Sequence, residues 1–152
     1  MKGKELRETV GLIAVVAGLL FVGMEVRQNA EATRAATVLQ IKEGWLDTNL
    51  STATSRDLQN AFLVVETDSL GADPGSLDMV RSFHRVLLHN WSNAYWQYRN
   101  GALPEEQWLP HQREMADRAS DPLTWWMWND IQRLYDDRFR SLMDSLRTAN
   151  GH

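Results

Sequence analysis

Fifteen apolar residues, Val10 to Met24, follow one another without a Pro or a polar cluster, and they lead straight into a charged, Ala-rich segment. As a helix this run rises about 22 Å, short of the roughly 30 Å hydrocarbon core of a bilayer. Its flanks lengthen it: Thr9 and Val26 are tolerated at the boundary, and Arg7 and Arg27 can reach the headgroups with their long stems. A signal peptide is the first rival, because Lys2, Lys4 and Arg7 make a basic leader and Ala30-Glu31-Ala32 resembles a cleavage site. Against it, Glu25, Arg27, Gln28 and Asn29 lie where a cleavage region is short and uncharged. A buried helix of a soluble core is the second rival. The flanks favour an uncleaved membrane anchor over residues 1–27, with a helical bundle domain over 28–150.

The helix does not stop at the lipid. Between Met24 and Leu50 there is no Pro, and Ala30, Ala32, Ala35 and Ala36 are strong helix formers, so one helix is expected from Glu5 to Asn49. Its outer part has two apolar stripes: Val38, Ile41 and Trp45 on one side, and Leu39, Leu46 and Leu50 on roughly the opposite side. The rest of the domain can cover only one of them, so Val38, Ile41 and Trp45 are candidate contacts. Inside the apolar run, Gly11, Ala14 and Gly18 form a small-residue face of the kind that lets a second membrane helix approach.

Turn chemistry divides the remainder. Ser55 caps a short helix to Thr67, "GADPGS" is a break after which Ser76 caps a long helix, and Asn100-Gly101 ends it. Pro104 starts the next helix, which Pro110 should kink, and Asp121-Pro122 opens another. Asp136 or Asp137 starts the last one, to Thr148. No segment alternates as a strand does, so the fold class is all-α. The long helix has a broad apolar side, Val80, Phe83, Leu87, Leu88, Trp91, Ala94, Tyr95 and Tyr98, as expected of the centre of a bundle.

A chemical reaction is harder to find. Sixteen basic residues are scattered among twenty acids, for a net charge of −4, which is no nucleic-acid footprint. Cysteine is absent, and with it thiol catalysis and thiolate metal sites. His84 and His89 lie about 140° apart on a helix, and His111 with Glu114 is a single one-turn pair, so no metal and no cofactor are expected. No phosphate loop or nucleophile motif occurs, and the chain is read as not an enzyme. His84, on the apolar side with Trp91 and Tyr95, is either a satisfied core histidine or the pH-sensitive wall of a pocket. In "DPLTWWMW", Trp125 and Trp126 fall opposite the apolar face, so the preceding helix, a partner or a membrane surface should cover them.

Three stretches together resemble a group of small bacterial proteins with one N-terminal hydrophobic helix. The first is Ala14-Val15-Val16 followed by Arg27-Gln28-Asn29 and Arg34-Ala35. The second is Asn93-Ala94-Tyr95-Trp96-Gln97-Tyr98-Arg99, with Glu105-Glu106-Gln107-Trp108 after it. The third is Trp125-Trp126. Pro110 and Tyr135-Asp136-Asp137 depart from that group's pattern. The resemblance implies an anchored helical protein and carries no assigned activity. The expected function is therefore a non-catalytic accessory or stabilising subunit of a larger membrane assembly, its partners being the membrane and either other membrane subunits or further copies of itself. A membrane-anchored sensor or ligand-binding domain is the alternative. Lys2, Lys4 and Arg7 before the anchor outweigh Arg27 and Arg34 after it, which points to the inner membrane with the helical domain in the periplasm.

Overall fold

The computed structural model describes residues 3–68 and 70–149, and among these it contains helices and no strand. The elements are α1 (Gly3–Thr54), α2 (Arg56–Thr67), α3 (Pro74–Arg99), α4 (Glu105–Ala119), α5 (Pro122–Ile131), a 3₁₀ turn (Gln132–Leu134) and α6 (Asp137–Ala149). The all-α expectation holds. Contacts divide the chain into two compact units, Met1–Ala36 and Thr37–His152. That division is a packing limit; the expected anchor boundary at Arg27 is a lipid limit.

In the first unit every residue from Arg7 to Ala36 is exposed. An 18-residue window of this helix has a mean hydropathy of 2.2 with none of it buried, making it the one helix among the described residues long and apolar enough to cross a membrane. A core helix of a soluble protein would bury that window. Gly11 and Gly18 stand clear, since a Cβ at either would meet nothing within 4 Å.

The second unit begins with the last turns of α1, which run five residues past the expected end at Asn49. Ser51, Thr52 and Thr54 have low helix propensity. Their hydroxyls instead bond back to the carbonyls of Thr48 and Leu50, satisfying themselves within the helix. Ser55 then caps α2 through its side chain on the Leu58 amide. At α3 the cap is Asp73, not Ser76. Asp73 accepts the Ser76 amide at 3.0 Å and the Ser76 hydroxyl at 2.6 Å, and Pro74 occupies the first helical position, where a missing N–H costs nothing. Gly101, at φ +73, makes the left-handed stop after α3. Helix α4 continues through Pro110. Asp136 starts α6 by accepting the amides of Arg138 and Phe139.

Much of the aromatic load of the C-terminal half is in the core. Trp91, Trp128 and Phe139 are at most 1% exposed and belong to one cluster with Leu87, Leu88, Met115 and Met143. Rings meet edge-on or tilted: Trp128 with Phe139 at 5.9 Å and 81°, and Tyr95 with Phe139 at 5.8 Å. Tyr98 stacks on Trp108 at 5.3 Å. A smaller cluster, Ala61, Val65, Val80 and Met127, joins α2, α3 and α5.

Candidate functional site

Two helices of the second unit wall an apolar groove of about 550 Å³. From α1 come Lys42, Trp45 and Leu46, spaced three and one; from α4 come Gln107, Pro110, His111 and Glu114, which are neighbours on one helical face. The carboxylate of Glu114 fastens the arrangement. Its Oε2 accepts the indole N–H of Trp45 at 3.1 Å and that of Trp91 at 3.3 Å, tying α1 and α3 to α4. Arg118 stands 3.9 Å from the other oxygen. Behind Trp45, α1 and α3 come unusually close at Gly44: a Cβ there would lie 3.3 Å from Asn90 Oδ1. Asn90 uses that proximity to donate to the Gly44 carbonyl at 3.0 Å and the Thr48 hydroxyl at 2.9 Å.

Burial pushes the pKa of His111 below its ordinary value, against the opposing pull of Glu114, so the ring at the groove wall is neutral at pH 7. The groove is thus lined by one indole, aliphatic carbon and a neutral imidazole, with the Lys42 side chain and the Gln107 amide at its edges. Its acid is already bonded to two donors. A wall this rich in carbon suits an apolar partner.

Measured against protein-family models, curated proteins and solved structures, the chain has no match. The site therefore rests on its own geometry.

The residues singled out from sequence scatter. Ile41 is 6% exposed inside the main cluster, and Val38 packs against it, so these two residues of the stripe are covered by the chain's own core. The uncovered stripe is Leu39, Leu46 and Leu50, each about half exposed. Trp45 remains accessible, at the groove. Trp125 is half-buried against the core cluster, with the guanidinium of Arg147 from α6 lying 4.0 Å from its ring centre. Trp126 is exposed.

His84, Trp91 and Tyr95 line no common pocket: His84 is 1% exposed among Phe62 and Phe83, and Tyr95 lies in the aromatic cluster. The opening lies beside His111 instead. The Nδ1–H of His84 donates to the Val80 carbonyl at 2.9 Å, while Nε2 faces the Thr124 hydroxyl at 3.4 Å. That hydroxyl gives its proton to Asp121 at 2.6 Å. Burial pushes the Asp121 carboxyl up, but the bonds from Thr124 outweigh burial and hold its pKa below the ordinary value. Among the described residues no three His, Asp or Glu converge on a point where an ion would fit.

Acid should loosen this domain. Burial holds His84 below its ordinary 6.5, with the Val80 carbonyl and Asp121 only partly compensating, and His111 is lowered as well. The unfolded chain then takes up protons first, so the stability contributed by the neutral rings is complete above 6.5 and is lost as pH falls toward the lowered folded values. The melting temperature is expected to drop between about pH 7.5 and pH 5.5, with a shallower drop in His84→Gln. A flat profile for the unaltered chain would contradict this assignment.

Proposed function

We propose that the protein is a non-catalytic, single-pass membrane protein acting as an accessory or stabilising subunit of a larger membrane assembly. It is held by α1 at the inner membrane with its helical domain in the periplasm. The observation that carries the reading is the apolar groove between α1 and α4, whose one acid is occupied by two indole N–H groups. Large exposed apolar surfaces on soluble domains mark contact sites, and Trp45 is a residue type favoured as a contact anchor. The exposed apolar helix of the first unit supports the anchor, and the excess of basic residues ahead of it supports the orientation.

The test is gentle solubilisation of native membranes and isolation of the full chain with whatever accompanies it. A stoichiometric membrane partner is expected, and Gln107→Arg, which puts a long charged side chain across the groove, should lose it while helicity is retained. A chain recovered alone, or a partner indifferent to Gln107→Arg, would count against the reading. A ligand-binding role has one favourable observation: the volume falls within the roughly 300–1,000 Å³ usual for small-molecule sites. A small molecule co-isolated in place of a protein, and lost in Gln107→Arg, would select it.

A further inference from the structure

The side of α1 that faces away from the core is apolar and bare. At 100° per residue Leu39, Leu46 and Leu50 fall within about 40° of arc, and each is about half exposed. Ile41 and Thr48, on the opposite side, are buried. The stripe has charged borders of opposite sign. Lys42 lies on one flank and Asp47 on the other, with Glu43 at the acidic edge of the stripe itself. All three are exposed, and none takes part in an ion pair among the described residues.

We propose that a second copy of this chain covers the stripe, by parallel, twofold pairing of residues 37–54 of the two α1 helices. The inference rests on the anchoring proposed above: copies inserted through the same N-terminal segment point the same way, so their helices meet parallel. A twofold axis then turns the basic flank of each helix toward the acidic flank of the other. Lys42 of one copy meets Asp47 of its partner at the five-residue offset of flanking ion pairs in parallel coiled coils, while Glu43 sits in the seam between Leu39 and Leu46 and sets the register at a cost in stability. Leu39 and Leu46 are seven apart, the repeat that keeps a seam facing its partner as two helices wind left-handedly. This self-complementarity within one helix favours a copy of the same chain over an unrelated helix. Three leucines are too few to hold two helices together in water. Confinement in one membrane supplies the missing association by raising the effective concentration.

The chain has no cysteine, so single cysteines report without background. The full chain is oxidised in native membranes, carrying Leu39→Cys, Leu46→Cys, Leu50→Cys or, as exposed positions off the stripe, Gln40→Cys or Ser51→Cys. Disulfide-linked dimers are expected at 39, 46 and 50 and not at 40 or 51. Lys42→Glu should lower the yield at Leu50→Cys by about two- to fivefold, the size of an exposed ion pair, and adding Asp47→Lys should restore it. Equal yields at all five positions, no dimer at any, or no rescue by the double charge reversal would overturn the proposal. Membrane and soluble fractions from the same sample report anchoring separately. Lys42 and Leu46 also line the groove, so the seam is separated from the groove by the Leu39→Cys and Leu50→Cys dimers, whose yield should be unchanged by Gln107→Arg.

Discussion

Phe139→Ala is expected to destabilise the helical domain by about 3–5 kcal/mol, lowering its melting temperature by on the order of 10 °C or more. Phe139 is fully buried, and its ring is met by those of Tyr95, Trp128 and Tyr135 at 5.8, 5.9 and 5.4 Å. Its amide is also bonded to Asp136 at the start of α6, so the ring and the helix start are positioned together. Truncation removes the contact surface shared by α3, α5 and α6 and leaves a void whose walls are large rigid rings with little freedom to collapse. The tryptophan fluorescence melt of the full chain measures this, because Trp91, Trp96, Trp108, Trp125 and Trp128 all lie in or against that cluster. A loss below about 1.5 kcal/mol, the range of volume-conserving swaps, would mean that this region is loosely packed.

Glu114→Ala should produce the next largest loss, and for a different reason. Trp91 is 1% exposed, so the carboxylate that receives its indole N–H cannot be replaced by bulk water. An orphaned buried donor costs about 1–3 kcal/mol. Trp45 is exposed at its ring, and its N–H can recover a water. Glu114→Gln keeps an acceptor oxygen at the same reach and should cost less than Glu114→Ala. It also severs the 3.9 Å pairing with Arg118, which at these exposures is worth little. Chemical denaturation of the three proteins gives the order. Equal losses for Gln and Ala would show that charge, and not acceptance of the indole protons, is what Glu114 contributes.

Much of the fold was legible because it is written in local chemistry. Ser55, Pro104, Asp121-Pro122 and Asp136 start their helices where capping rules place them, and the broad apolar side of α3 is the buried side. Asp73 was missed because Asp-Pro-Gly-Ser offers two capping residues, and only the position of Pro74 decides between them. Which stripe of α1 the core covers was not legible. Both stripes have helical spacing and similar apolarity, and the choice is made by contacts distant in sequence, such as Asn90 of α3 on the Gly44 carbonyl. The groove escaped for the same reason. Glu114 and His111 were visible as a one-turn pair, but the indoles that occupy Glu114 come from 69 and 23 residues away. Burial alone did not separate His84 from His111: the first is sealed among Phe rings, the second lines an opening.

Anchoring by an intact N-terminal helix underlies both proposals, and the intact mass of the protein retained in carbonate-washed membranes tests it most directly. The expected result is a membrane-retained species at the full 17.5 kDa of the chain. A species shortened to begin after Ala32, or a full-length chain released to the soluble fraction, would contradict it.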